Sequence, residues 1–267
     1  MDMADLKQAI QSCNVEEIKR LVEDENCDVN QNLWHETDWR GKRLTERPLS
    51  FSLENIKSEN DDWFKISRML LDHKNIDVNA ECRITYFNVA THTTKVFGRT
   101  ERDIIAISTI LGYVCNTKCE SALGVKMLLE DPRTDVNKGG PQTSLYCALR
   151  NVQNEGDYFH QIAELLLHHK NIDVNADCYH PFFSIDYIDS TLSALCLDPA
   201  EPYKLGVQIL LQDSRVHIYK GSPTYWAACH RRTNILKMIL KHPDHDVNKV
   251  CECCDNYLPI AMITRGV

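Results

Sequence analysis

The sequence lacks a long apolar run. Its most apolar stretch, Ile104–Val114 (IIAISTILGYV), is about half as long as a membrane-spanning helix must be. The N-terminus (MDMADLKQAI) is acidic and amphipathic, and it lacks the basic and apolar segments of a secretory signal. We therefore expect an intracellular, cytoplasmic chain in a reducing compartment, without a membrane partner.

Basic residues are too few to indicate a nucleic-acid-binding protein. The chain carries 30 Lys and Arg residues against 38 Asp and Glu residues, a net charge of −8, and no local basic strip offsets this balance. Because clustered positive charge binds phosphate backbones, we expect no nucleic-acid partner. The 12 cysteines lie mostly singly within apolar segments, which indicates reduced thiols packed as small apolar side chains.

Enzyme signatures are absent as well. The sequence has no phosphate-binding glycine loop, no G-x-S-x-G motif and no H-E-x-x-H motif. It also lacks the H-x-E and P-C-x-x-C pair of zinc-dependent deaminases. The sequence therefore predicts a protein that is not an enzyme and has no cofactor and no small-molecule substrate.

The chain does contain an internal repeat. Six segments share an apolar helical stretch, a short polar break and an Asp-Val-Asn or related ending, at Asn30, Asn79, Asn137, Asn175, Tyr219 and Asn248. Repetition of this kind is typical of solenoid proteins, in which each unit packs on its neighbours. We expect the valine of each ending to cover the helix pair, and the Asp and Asn side chains to bond their own nearby backbone.

A first helix precedes most of these segments. Several of the apolar stretches follow Ser, Thr or Asp, or begin at proline, as helix N-termini do. The predicted first helices are Pro48–Ile56, Asp103–Tyr113, Ser144–Val152, Thr191–Leu197 and Pro223–His230. The unit is therefore a helix, a turn, a second helix and a loop.

This unit resembles the ankyrin repeat, whose pattern runs TPLHxAA, a polar turn and IVxxLLxxGADVNA. The fullest match is SPTYWAA from Ser222, followed by NILKMIL from Asn234 and DVN from Asp246. The resemblance implies an all-α fold, an ankyrin-type α-solenoid of helix-turn-helix repeats with β-hairpin-like loops. Only 10 glycines occur, where average composition gives roughly 19, and the repeat spacing varies, so we expect an irregular stack.

The resemblance also implies a domain organisation and a function. It predicts a single ankyrin-repeat domain over residues 1–267, with an N-terminal cap at about 1–30, repeats ending near 79, 137, 175, 219 and 248, and a partial C-terminal repeat at 249–267. It implies a non-enzymatic protein–protein interaction module, which binds a partner protein through its concave face and extended loops. A regulatory inhibitor, an adaptor and a pathogen effector acting on a host protein remain alternatives.

Three long loops carry the candidate partner-binding residues. Arg83–Val89 and Thr93–Phe97 have strand composition and predict a hairpin. Aromatic side chains and arginine in such loops are typical of interface anchors, although they can equally cover an adjacent core. The resemblance further implies that Phe51 and Trp226 lie on the concave face. The candidate residues are Trp34, His35, Trp39, Arg40, Phe51, Tyr86, Phe87, Lys95, Tyr179 and Trp226.

A cysteine cluster near the C-terminus offers a different function. Cys251 and Cys254 form a C-x2-C pair, with Cys253 between them, and His242 and His245 form an H-x2-H pair. Zinc binds such pairs when two of them meet, although a single pair of each kind is also compatible with free thiols. A zinc-responsive or redox-responsive switch therefore stays open as an alternative.

Overall fold

The computed structural model describes residues 3–35, 42–86, 104–117, 119, 121–139, 142–179, 188–197 and 203–246. The chain divides into two compact units, Met1–Gly140 and Pro141–Val267. The first unit contains, in chain order, α1 (Met3–Gln11), α2 (Val15–Val22), β1 (Leu33–His35), β2 (Lys42–Glu46), α3 (Pro48–Glu54), α4 (Asp62–Asp72), β3 (Glu81–Tyr86), β4 (Ile104–Thr109), α5 (Ile110–Asn116) and α6 (Leu123–Glu130). The second contains α7 (Ser144–Asn151), α8 (Tyr158–His168), β5 (Asp177–Tyr179), β6 (Ile188–Ser190), α9 (Thr191–Leu197), α10 (Lys204–Leu211), α11 (Pro223–Cys229) and α12 (Thr233–Leu240).

Each helix pair buries one apolar stripe per helix. In α3 the stripe is formed by Leu49 and Leu53, and in α4 by Ile66 and Leu70, and all four side chains are fully buried. Residues three and four positions apart lie on the same face of a helix, so each stripe faces the neighbouring helices. Among the described residues no helix is both long enough and apolar enough to cross a membrane.

One predicted first helix is partly wrong. Asp103–Tyr113 was expected to be helical, but Ile104–Thr109 is strand β4 and the helix begins only at Ile110. Three β-branched isoleucines in this segment favour a strand, and the neighbouring β3 supplies the pairing. Thr109 then begins α5 as its N-cap, because its Oγ1 accepts the N–H of Gly112 at 3.3 Å.

The Asp-Val-Asn endings bond successive repeats to one another. Asn30 Nδ2 donates to the Asn75 carbonyl at 2.7 Å, and its Oδ1 accepts the N–H of Asp77 at 2.8 Å. The same pair of bonds is made by Asn79 to Arg133 and Asp135 and by Asn175 to Arg215 and His217. The prediction that the asparagine bonds its own nearby backbone is therefore wrong for these three repeats.

The rest of the prediction for this ending is confirmed. Asp28 Oδ1 accepts the N–H of Asn30 at 3.0 Å, two residues along its own chain. The valines of the ending, such as Val29 and Val78, are buried. Where tyrosine replaces the asparagine, its hydroxyl takes over both bonds, since Tyr219 donates to the Asp244 carbonyl at 2.9 Å and accepts the N–H of Asp246.

The two units share a pattern that is two repeats long. Residues 48–82 and 144–178 align without a gap, from the first helix through the DVNA ending to a cysteine. Their side chains make matching bonds, since Asn55 Nδ2 donates to the Phe51 carbonyl and Asn151 Nδ2 to the Cys147 carbonyl, each at 2.7 Å. The following repeats match as well, because Arg133 donates to the Leu71 carbonyl and Arg215 to the Leu167 carbonyl, each at 2.6 Å.

Replacing Arg231 by glycine is expected to stabilise the second unit by about 1 kcal/mol. Arg231 is exposed, follows α11 and has φ 55°, a left-handed conformation that costs energy for any residue with a Cβ atom. The urea midpoint of Arg231→Gly should therefore rise. As a matched control, Lys237→Gly removes an exposed basic side chain from the interior of α12 and should lower the midpoint by a similar amount. A lowered midpoint in both variants would contradict the strain at Arg231.

Candidate protein-contact surface

The first two long loops join in one sheet. Strands β1, β2, β3 and β4 form a four-stranded antiparallel sheet in that order. Trp34 lies opposite Thr45, and Thr45 lies opposite Arg83 on the next strand. Because neighbouring strands are about 4.8 Å apart, the strand of Trp34 and His35 runs about 10 Å from the strand that carries Tyr86. The structure thus brings together two candidate regions that the sequence treated as separate loops.

The structure describes only some of the other candidate loop residues. The expected strand at Arg83–Val89 is confirmed as far as Tyr86, where β3 ends. Tyr179 ends β5 of the second unit and lies opposite Ile188. Trp39, Arg40, Phe87 and Lys95 lie outside the described residues, as does the second predicted hairpin strand at Thr93–Phe97.

Polar contacts hold the base of the four-stranded sheet against the helices. Arg47 follows β2, and its Nε donates to the Glu81 carbonyl at the start of β3 at 3.0 Å. Tyr113 of α5 lies with its hydroxyl 2.5 Å from Glu46 Oε1 and 3.1 Å from Glu54 Oε2. Burial, together with these two carboxylates, raises the pKa of Tyr113 well above its ordinary value, so the hydroxyl keeps its proton. The sheet is therefore fixed to both α3 and α5.

Phe51 lies at the surface of α3. It is half-buried, whereas Leu49, Ser50, Ser52 and Leu53 of the same helix are fully buried. Its ring meets the ring of Trp63 edge-to-face, with centroids 5.5 Å apart. This geometry is favourable for aromatic pairs, and it holds both rings in place while part of each ring stays exposed.

Trp226 occupies the corresponding place on α11. It is half-buried, its Nε1 donates to the Gly221 carbonyl at 3.1 Å, and its ring stacks on His230 with centroids 6.2 Å apart. Tyr225 packs edge-to-face on it at 5.0 Å. Pro223, Thr224 and Ala227 face the core instead. The structure therefore places Trp226 within a small aromatic cluster at the surface.

Sequence reasoning missed Trp63, Tyr225 and His230. Trp63 comes two residues after Asp61, the N-cap of α4, and so lies in the first turn, where a side chain is seldom fully enclosed by its own helix. A tryptophan two residues after an N-cap aspartate was a usable signal. Tyr225 and His230 flank Trp226 at helical spacing, but their ring contacts depend on side-chain orientations that the sequence does not specify.

The two described histidines of the proposed zinc cluster make different contacts. His242 Nδ1 accepts the N–H of Asp244 at 3.3 Å, and the ring of His245 packs against Tyr219 with centroids 6.0 Å apart. Burial lowers the pKa of His245, against an upward effect of Asp246. Cys251, Cys253 and Cys254 lie outside the described residues, and the described residues contain no group of three or more potential metal ligands.

The described cysteines are mostly core residues. Seven of the nine are buried, and they are Cys27, Cys82, Cys115, Cys119, Cys147, Cys178 and Cys196. Burial raises the pKa of Cys82 to about 11 and that of Cys147 to about 12. Because the thiolate is the reactive form, burial disfavours reaction of these thiols at neutral pH.

Helix pairs joined by extended connections, with an asparagine bonding one repeat to the next, define an ankyrin-repeat fold. The structure is similar to the ankyrin repeat domain of Bcl-3, a member of the IκB protein family, with a TM-score of 0.61 and 15% sequence identity, over 97% of this chain and 92% of that chain. It is also similar to the ankyrin repeat protein EF0377, with a TM-score of 0.53 and 17% identity, over 91% of this chain and 99% of that chain. No protein-family model and no curated protein matches the sequence. The predicted all-α, ankyrin-type solenoid with hairpin-like loops is thus confirmed.

Proposed function

We propose that this chain is a non-enzymatic protein–protein interaction module. The observation that carries the proposal is the placement of Phe51 and Trp226, each half-buried on the outer side of a first helix whose other side belongs to the core. Large aromatic side chains held in a fixed orientation at a surface are the residues that most often anchor a partner protein. The similarity to two ankyrin repeat structures supports the same class of function.

The four-stranded sheet is a further proposed contact region of the first unit. We propose that the partner also contacts the loop and strand residues Trp34, His35, Trp39, Arg40, Tyr86, Phe87 and Lys95, and that Tyr179 has the equivalent place in the second unit. The net charge of −8 favours a partner surface that is neutral or basic. The proposal includes no cofactor, no small-molecule substrate, no nucleic acid and no membrane.

Affinity capture with the intact chain tests this proposal. The intact chain, a Phe51→Ala/Trp63→Ala variant and a Trp226→Ala variant are each used to capture proteins from a matched cell lysate, and bound proteins are identified by mass spectrometry. We expect a partner that the intact chain retains and that at least one of the two variants loses by tenfold or more. A third variant, Trp34→Ala/Trp39→Ala/Tyr86→Ala, tests the sheet in the same way.

The control is Lys65→Ala/Arg68→Ala. These two exposed residues belong to α4, as Trp63 does, but lie on the other side of that helix. This control should bind like the intact chain and keep its free energy of unfolding within about 0.5 kcal/mol. The aromatic variants should lose about 1 kcal/mol or more of that free energy, because their rings are half-buried, so urea unfolding is used to show that each variant is folded before binding is compared. If every folded variant captured the same proteins, or the intact chain captured none, the proposed contact surface would be wrong.

A further inference from the structure

The outer edge of β4 presents backbone groups that can bind another strand. In the four-stranded sheet β4 pairs with β3 on one side, and within the part of the chain that the structure describes no strand pairs with its other side. In an antiparallel pair, every second residue of an edge strand points its N–H and C=O groups away from the partner strand. Ile104–Thr109 therefore carry an alternating row of outward donors and acceptors.

The sequence of β4 contains none of the usual features that prevent strand addition. Edge strands in natural proteins are commonly very short, or they carry lysine, another charge or proline. The opposite edge strand, β1, has 3 residues, whereas β4 has 6 and reads IIAIST, without charge and without proline. A strand of this length extends over about 20 Å, enough to bind a short peptide along its whole length.

The connection that follows α6, residues 131–139, is hydrogen-bonded to β4 only at the C-terminal end of that strand, within the described residues. Thr109 Oγ1 donates to the Lys138 carbonyl at 3.1 Å. No hydrogen bond joins residues 104–108 to residues 136–139 in this part of the chain. Within the described residues, this connection therefore bonds only the C-terminal end of β4.

We propose that the outer edge of β4 binds an extended peptide segment of a partner protein by strand addition. The row of backbone donors and acceptors is complementary to an extended backbone, and to no other regular structure. The net charge of −8 favours a neutral or basic segment, and the same charge on a second copy of this chain opposes pairing between copies. This inference rests on the proposed function and specifies how one part of the partner is bound.

A randomised library of ten-residue peptides, displayed and sorted for binding to the intact chain, supplies the probe. We expect the recovered peptides to be neutral or basic and to alternate β-branched or aromatic residues with polar ones. Two synthetic versions of a recovered peptide are then compared, one methylated at the backbone nitrogens of its odd-numbered residues and the other at those of its even-numbered residues. One version should bind at least tenfold more weakly, because methylation removes the N–H donors that pair with β4. The other version should bind with unchanged affinity.

A proline scan of Ile104–Ser108 tests the protein side of the same contact. Proline at a residue whose N–H points toward β3 should lower the unfolding midpoint, whereas proline at an outward residue should leave the midpoint unchanged and weaken peptide binding at least tenfold. The expected signature is therefore an alternation with a period of two residues. A merely structural role of β4 would not separate binding from stability in this way.

Three outcomes would overturn the inference, and they can be told apart. If no peptide is recovered, or if binding is insensitive to both N-methylation and proline, β4 is not a docking edge. If Phe51→Ala/Trp63→Ala abolishes binding while the proline variants do not, the protein-contact function stands and the strand-addition mode is wrong. If sedimentation shows a dimer of the intact chain that the outward proline variants dissociate, the occupant is a second copy.

Discussion

Gly206→Ala is expected to lower the free energy of unfolding of the second unit by about 3 kcal/mol. A Cβ atom at this position would lie 2.2 Å from the backbone oxygen of Leu149, so α10 could not keep its present distance from α7. Backbone atoms cannot rotate away as the end of a side chain can. This loss of stability is opposite to the usual effect, because alanine in place of glycine ordinarily stabilises a helix by about 0.5–1 kcal/mol.

Gly124→Ala should act in the same direction in the first unit. Its Cβ would lie 2.5 Å from the backbone oxygen of Leu53, the residue that matches Leu149 in the shared two-repeat pattern. Urea unfolding measures both changes, and Lys126→Ala, at an exposed position of α6, is the control that should stay within about 0.5 kcal/mol. An unchanged or higher midpoint for either glycine variant would show that these helices are not in such close contact.

Asp61→Ala is expected to lower the stability of the first unit by about 2 kcal/mol. Asp61 is the N-cap of α4, and its Oδ1 accepts the N–H of Phe64 at 2.7 Å. Its Oδ2 accepts the N–H groups of Lys57 and Ser58 at 2.6 and 2.9 Å, so one carboxylate closes the turn and begins the helix. Asp157 makes the matching bonds in the second unit, to Gln153, Asn154 and His160.

Asp61→Asn separates the two tasks of this carboxylate. The amide oxygen can still cap α4, but the amide nitrogen would face the N–H groups of Lys57 and Ser58 as a second donor. We therefore expect Asp61→Asn to lose part of the stability that Asp61→Ala loses. Asp62→Ala is the control, because Asp62 is exposed and pairs only with Lys65 among the described residues, so its loss should cost about 0.5 kcal/mol or less.

The contribution of Asp61 to the stability of the first unit should depend on pH. Burial has the largest single effect on the pKa of Asp61 and raises it. The hydrogen bonds from backbone N–H groups together outweigh burial, so the pKa of Asp61 lies below its ordinary value. A lowered pKa in the folded state means that the stabilisation is complete above the unfolded pKa and is lost as the pH falls through the folded pKa. The unfolding midpoint of Asp61→Asn should therefore fall less steeply than that of the natural chain between about pH 5 and pH 2. Equal slopes would contradict this assignment.

Helices with regular apolar spacing were predictable because their signals are local. Thr191–Leu197 was predicted with the observed bounds, and Pro48–Ile56 was predicted two residues too long. Apolar residues at helical spacing and a proline or threonine at the N-terminus are sufficient for such a prediction. Asp103–Tyr113 failed because its apolar run fits a buried helix and a strand equally well, and only pairing with β3 decided between them.

The candidate surface was predictable only as positions along the chain. Phe51 and Trp226 were identified through their place in the repeat, and both lie half-buried on first helices. Trp63 was not predicted as a surface residue, because its contact with Phe51 joins two helices and depends on how α3 and α4 cross. The four-stranded sheet was not predicted either, since pairing between β2 and β3 connects two insertions that are separated by a complete helix pair.

The amino-acid sequence by itself determined the repeat, the helix pairs and the class of fold. Those features depend on apolar periodicity, capping residues and the Asp-Val-Asn ending, each of which acts over a few residues. Only the tertiary structure decided that the asparagine of this ending bonds the next repeat, that Gly124 and Gly206 permit close helix contact, and that two loops form one sheet with β4 at its edge. These features depend on which backbone groups of distant segments meet, and no local pattern of side chains specifies such a meeting.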